Sequence, residues 1–173
     1  MSGRIRMKKV SKKKFEPVPA EFHTVTPYLA IQGAAHAIDW YKTAFNAKEI
    51  EEARQQTLDG KLVHARIKIG DSIIMLSDIF PGSDIKNPQI SGRSPVTLHL
   101  YSRNVDQLWK QAVEAGARVD MQLDDMFWGE RYGHLTDPFG HSWSLSMRVR
   151  MKPAEMERKK QEAMKGFEQG NPP

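Results

Sequence analysis

Three histidines carry the most versatile chemistry in this chain: His64, His99 and His134. A neutral imidazole is a ready ligand for a divalent metal, and with an ordinary pKa of about 6.5 it exchanges protons near neutrality. Brought within bonding distance, the three could form a three-histidine metal site. Held apart, they could serve as general acid and base without a metal. Each also has a plainer reading. His64 and His134 suit hydrogen-bonding positions on a solvated face, and His99, between Leu98 and Leu100, suits a satisfied buried imidazole.

Strand alternation adds company to these histidines, because residues two apart share one face of a strand. Thr26 and Tyr28, then Arg66 beside His64, Thr97 beside His99, Tyr132 beside His134, and Ser144 fall on the same side of their segments. Trp128, with Phe127, sits in a loop next to Gly129 and would make a stacking rim. The expected ligand-binding set is thus Thr26, Tyr28, His64, Arg66, Thr97, His99, Trp128, Tyr132, His134 and Ser144. Arg131 is open between an anion clamp and a structural ion pair. His141 reads as a local bond-maker in a turn, and His23 and His36 as surface positions.

Other chemistries are missing. The chain has no cysteine, which removes disulfides, thiolate nucleophiles and zinc ribbons. No nucleophile elbow, phosphate-binding loop or dinucleotide fingerprint occurs. Glu51-Glu52 and Asp124-Asp125 are adjacent pairs, which on a strand would point to opposite faces.

The elements that must position these residues show up as periodicity. Val25, Pro27, Leu29 and Ile31 alternate as one strand face, and AAHAIDWYKTAF carries Ala34, Ala37, Ile38, Tyr41, Ala44 and Phe45 at helical spacing. Asn46 is a candidate left-handed cap. KEIEEARQQT reads as a strand, followed by an Asp59-Gly60 turn. KLVHARIKI is the next strand, with Val63, Ala65, Ile67 and Ile69 on the apolar face, and a Gly70-Asp71 turn leads to SIIMLSDIF. After a Pro/Gly/Ser-rich linker at 81–93 the order begins again: PVTLHLYS, the helix NVDQLWKQAVEAGA, RVDMQLDD, RYGHLTDP and SWSLSMRV. His64 and His134, Gly70 and Gly140, and Ser72 and Ser142 are all 70 residues apart. Such a repeat predicts an α+β domain over 22–149 built from two tandem βαβββ modules, 22–80 and 94–149. They would form a curved mixed sheet with a concave cup and outer helices.

Charge is uneven along the 173 residues. Residues 1–14 carry seven Lys or Arg and no acid, whereas 15–149 holds 13 basic against 17 acidic groups. The net +5 therefore resides in the tails. A mildly acidic folded part argues against a specific nucleic-acid surface. Segment 1–21 reads as a disordered basic tail and 150–173 as a charged helix and tail. No apolar run approaches the roughly 20 residues of a membrane span. A cytoplasmic protein is the simplest expectation.

The phrases AIDWYKTAF, HARIKIGDS, VTLHLYSRNVDQLWKQAVEAGA and FWGERYGHLTDPFGHSW together resemble the vicinal-oxygen-chelate superfamily, the group of glyoxalase I, bleomycin-resistance proteins and extradiol dioxygenases. TPYL, LHLY, FWG-x-RYG and DPFGH-W are similar to its PhnB-like branch. The resemblance implies the glyoxalase/bleomycin-resistance fold, a small-molecule ligand and a homodimer. It also implies a divalent metal held by His, Glu or Gln at positions near Thr26, Ile74 or Met75, Thr97 and Ser144. None of these is such a residue, so no metal and no other cofactor is expected there. The expected function is small-molecule binding in the cup. The alternative is a metal-dependent glyoxalase- or dioxygenase-like enzyme with a relocated histidine site.

Overall fold

A computed structural model describes residues 16–82, 88 and 94–169, without the side chain of residue 167. The basic arm at 1–14 and most of the expected linker lie outside the described residues. The elements are β1 (Tyr28–Ile31), α1 (Ala34–Phe45), β2 (Lys48–Glu49), a 3-10 turn (Glu51–Ala53), β3 (Gln55–Gln56), β4 (Leu62–Ile69) and β5 (Ser72–Asp78). Then come β6 (Thr97–Tyr101), α2 (Val105–Glu114), β7 (Arg118–Met126), β8 (Glu130–Thr136), β9 (Ser142–Arg148) and α3 (Pro153–Glu168). The βαβββ unit thus occurs twice, and β5 and β9 are displaced by the 70 residues of the sequence repeat. The first sheet has the order β1-β5-β4-β2 with β3 also on β4, and the second β6-β9-β8-β7. In each, the first strand runs parallel to the last and the hairpins are antiparallel.

Three local expectations need correcting. The segment KEIEEARQQT is not one strand. It is two short strands around the 3-10 turn, so Glu51 and Glu52 lie on a turn. Val63 does not join Ala65, Ile67 and Ile69 in the core. Gln55 pairs with His64 and Gln56 with Leu62, so Val63 is an extra residue in β4. That bulge turns Val63 outward at 44% exposure and lets Leu62 take the buried place. Val25 precedes β1 and is exposed, not packed under a helix.

Helix α1 shows why the modules stay together. Glycine at 33 adopts the left-handed backbone and offers no side-chain cap. Instead the Asp78 carboxylate at the end of β5 accepts from the backbone N–H groups of Gly33 and Ala34, at 2.9 and 3.1 Å. A negative charge there also suits the positive end of the helix dipole. Asn46 closes the helix in the left-handed region, as expected. The apolar stripe runs from Ile38, Ala34 and Phe45 round to Ala37, Ala44 and Trp40, too wide for one sheet alone. One side of α1 packs on its own sheet. The other meets α2 and the second module: Trp40 Nε1 donates to the Ala115 carbonyl at 2.7 Å, and the Phe45 and Trp143 rings are 4.6 Å apart.

This double contact fixes the layering. Leu29, Ile31, Ala65, Ile67, Ile74 and Leu76 of the first sheet and Leu135, Trp143 and Leu145 of the second belong to one continuous core containing both helices. The helix-bearing faces of the two sheets therefore look toward each other across α1 and α2. The α+β class and two-module order are as expected, but within one chain the strands form two separate sheets whose other faces point away from the shared core.

A buried carboxylate joins the two modules. Asp137, 3% exposed, accepts from the Tyr41 hydroxyl (2.7 Å), Trp143 Nε1 (2.9 Å) and the backbone N–H of Phe139 and His141 (2.9 Å each). Its four acceptor positions are all used. The DPFGHSW phrase is thus a structural device that clamps α1 to the β8–β9 turn. In the RYG phrase, a Cβ built on Gly133 would stand 2.5 Å from the Trp109 ring. The glycine is what allows α2 to lay its indole on β8.

Candidate functional site

The outward faces hold the expected site residues in two groups. On the first sheet, Tyr28 lies opposite Met75, and Arg66 lies opposite the same Met75 from the other side. The Tyr28 and His64 rings are 6.0 Å apart, and Arg66 Nε donates to His64 Nε2 at 3.2 Å. Burial, and then the Arg66 charge, lower the His64 pKa. The segment before β1 folds back here: the Arg66 guanidinium lies 4.8 Å over the Phe22 ring and 3.9 Å from Glu21. Thr26 lies before β1 and donates to the His23 carbonyl at 2.8 Å.

The second sheet gathers the rest. Thr97 pairs with Ser142, which pairs with Thr136. His99 pairs with Ser144, which pairs with His134. His99 Nδ1 and Ser144 Oγ share a hydrogen bond of 2.7 Å, and Ser142 Oγ and His134 Nε2 one of 3.1 Å. His134 also lies 3.4 Å from Asp120. The rings of His99 and Tyr132 stack at 6.0 Å, and Trp128 meets Tyr132 edge-on at 5.6 Å. Phe127 packs edge-on against Trp128 at 4.9 Å, as a rim residue would.

Three residues of this surface were not in the expected set. Tyr101 donates to Glu130 Oε1 at 2.8 Å, and Ser146 and Trp128 donate to Glu130 Oε2 at 3.0 and 3.3 Å. Burial raises the Glu130 pKa, but the bonds from Tyr101, Ser146 and Trp128 outweigh it and hold the carboxyl below its ordinary value. The signal was available: Tyr101 is two residues past His99, and Glu130 two before Tyr132. Arg131 turns out to be a structural ion pair, reaching Asp106 of α2 at 2.7 Å and Asp125 of β7 at 3.2 Å. His141 is buried, with no hydrogen-bond partner for Nε2 among the described residues.

The three histidines do not converge within a chain. His64 is on one sheet, and His99 and His134 are on the other with β9 between them. Among the described residues no three His, Cys, Asp or Glu are grouped to hold a metal ion. The positions implied by the resemblance do not fit a metal either. Ile74 is in the core, Met75 offers a thioether, Thr26 bonds a carbonyl, and the Ser144 hydroxyl is engaged by His99. An open cleft of about 710 Å³ lies between the Gly70-Asp71 turn of the first sheet and β6, with Val25, Pro27, His99 and Tyr101 in its lining.

Comparison with known proteins agrees with this architecture. Over 129 residues, covering 73% of this chain and 75% of the relative, the sequence is 43% identical to an uncharacterized protein of Mycobacterium tuberculosis. It is 26% identical over 152 residues to Protein YjdN of Escherichia coli, covering 76% of this chain and 99% of that one. Among solved structures, TioX from Micromonospora sp. ML1 superposes with a TM-score of 0.57 at 24% identity, covering 75% of this chain and 100% of its own. A PhnB protein from Bacillus cereus superposes with 0.58 at 16%, covering 74% and 100%. These two structures share the fold. Residues 22–145 match the profile of the Glyoxalase/Bleomycin resistance protein/Dioxygenase superfamily, and the chain belongs to that superfamily.

Proposed function

We propose that the chain is a PhnB-like small-molecule-binding protein that works without a metal at the superfamily's usual positions. Its cup is closed by a second copy, which lays the first sheet of one chain over the second sheet of the other. The observation that carries this reading is the outward orientation of both polar faces. Among the described residues no helix or sheet covers either face, although the segment before β1 reaches Arg66 of the first, and each leaves large side chains in solvent: Tyr28 at 47%, Trp128 at 42% and Tyr101 at 62% exposure. Exposed aromatics of this kind mark binding surfaces. The faces also complement each other in charge. The first carries Lys48, Arg66 and Lys68 in adjoining register positions, and the second carries Asp120, Asp124 and Glu130 against Arg118 and Arg148, a small acidic excess.

The test combines oligomeric state by sedimentation with metal content of untagged protein. The reading expects a dimer weakened by Arg66→Glu, and a metal-free chain whose melting temperature rises with a small-molecule ligand. A stable monomer would remove the shared cup. Near-stoichiometric metal that disappears with His99→Ala or His134→Ala would replace ligand binding with metal-dependent chemistry.

A further inference from the structure

We infer that Ser142, His134 and Asp120 form a nucleophile–base–carboxylate triad on the outward face of the second sheet, which accepts the acyl group of a small carboxylic ester. The inference goes beyond ligand binding, needs one chain only and does not depend on a second copy closing the cup.

The order of atoms is the basis. Ser142 Oγ lies 3.1 Å from His134 Nε2, and His134 Nδ1 lies 3.4 Å from Asp120 Oδ2. Hydroxyl and carboxylate thus sit on opposite nitrogens of one ring, the arrangement that activates a serine. The tautomer with its proton on Nδ1, toward Asp120, leaves Nε2 to accept from Ser142. A bulge in β7 puts the carboxylate there: Val119 pairs with Leu135 and Met121 with His134, so Asp120 is the extra residue between them. Arg118 Nε holds its Oδ1 at 2.9 Å and the Thr136 hydroxyl its Oδ2. Ser142 is partly buried, and the side chain of His134 keeps 24% of its surface exposed, so a substrate reaches both. The sequence repeat supplies an internal comparison. Ser72 and His64 stand 70 residues before Ser142 and His134, and Ile50 stands 70 before Asp120. There His64 Nε2 accepts from Arg66 and Ser72 Oγ donates to Asp71, so serine and histidine are engaged elsewhere.

The chemistry is acyl transfer to water. Ser142 Oγ bonds to the ester carbonyl carbon while His134 Nε2 takes the hydroxyl proton. The tetrahedral adduct expels the alcohol, which leaves with that proton, and the acyl group stays on Ser142. Water then adds to the acyl-serine and gives a proton to Nε2. The carbon–Oγ bond breaks, Oγ recovers the proton and the carboxylic acid is released. Asp120 orients the ring and stabilises the imidazolium formed in each half. Thr97 stands beside Ser142 in register and is exposed, and its hydroxyl has no hydrogen-bond partner among the described residues. It is the donor placed to meet the developing oxyanion. Thr136 flanks Ser142 on the other side. Two threonines offer a long acyl chain no apolar wall, so the acyl group is short.

The experiment follows hydrolysis of p-nitrophenyl acetate by the full chain and maps the adduct of a fluorophosphonate probe by mass spectrometry. The expected result is saturable turnover faster than free imidazole at equal concentration, with the probe on Ser142. Ser142→Ala and His134→Gln should each lower kcat about a hundredfold or more. Asp120→Asn should lower kcat about tenfold at unchanged KM, with partial recovery in Asp120→Glu, and Thr97→Val should also act on kcat rather than KM. Ser72→Ala in the first module should leave turnover unchanged. Ser142→Ala removes one hydroxyl from a partly buried site, so it tests the triad even if His134→Gln unfolds. Turnover no faster than imidazole, full activity in Ser142→Ala, or a probe adduct that persists in Ser142→Ala would overturn the inference, the last two by making a histidine or another group the nucleophile. Serine-dependent turnover by a stable monomer would leave it standing while removing the shared cup. A ligand-binding dimer without turnover would do the reverse.

Discussion

The two modules repeat one topology and use it differently. In the first, β4 turns into β5 across two residues, Gly70 and Asp71; in the second, β8 reaches β9 through five, from Asp137 to His141. The longer turn has room for a buried carboxylate with four donors. The shorter one leaves its module's acidic hub, Asp78, at the far end of β5, where it caps α1 and accepts from the Leu62 N–H at 2.7 Å. One helix is therefore held at its start by its own module and along its length by the other. Close packing is also obtained differently. Alanines on α1 provide it in the first module, and a glycine on β8 does so in the second. Repetition of the fold thus fixes where elements lie, while the turn and a few small residues decide which module carries the structural load.

The comparison breaks most sharply at Asp137. Asp137→Ala strands the Tyr41 hydroxyl, the Trp143 indole N–H and two backbone donors in the core, and should cost about 3–5 kcal/mol in urea unfolding. A cost no larger than that of Asp78→Ala would show that the modules share the load. Gly133→Ala comes next, at about 1–3 kcal/mol, because the new methyl group overlaps the Trp109 ring and β8 cannot retreat. Combining it with Trp109→Leu should recover much of the loss. Asp78→Ala should cost about 1–2 kcal/mol as a lost helix cap.

Two pH dependences follow. Burial, and then Asp137, raise the Tyr41 pKa well above its ordinary value. The stability this represents is present below the unfolded value of about 10 and is lost as pH rises above it. Tyr41→Phe should flatten the alkaline limb of a melting-temperature profile. The smallest effect is expected at Asp120. Burial raises its pKa, but bonds from Thr136 and Arg118 and the charges of Arg118 and His134 bring it below the ordinary value. Its contribution is present above the unfolded pKa of about 4 and lost as pH falls. On this open surface Asp120→Asn should change stability by under about 1 kcal/mol. A larger acid sensitivity would mean that a second chain covers Asp120.

Much of this architecture was legible in the chain itself. Apolar residues at periods of 2 and 3.6, the 70-residue repeat and the glycine turns are local signals, and they determined the βαβββ order, the α1 stripe and the Asn46 cap. Local alternation also put Thr97, His99 and Ser144 on one face with Tyr132 and His134, and the same rule would have found Tyr101 and Glu130. Tertiary structure decided the rest. The bulge at Val63 depends on pairing with β3. The roles of Asp137 and Gly133 depend on residues brought from Tyr41 and Trp109. Above all, whether His64 meets His99 depends on how the sheets are stacked. Periodicity tells which face of a strand a residue takes but carries no term for the relation between sheets. That relation was set by α1, whose apolar stripe is wide enough to need both.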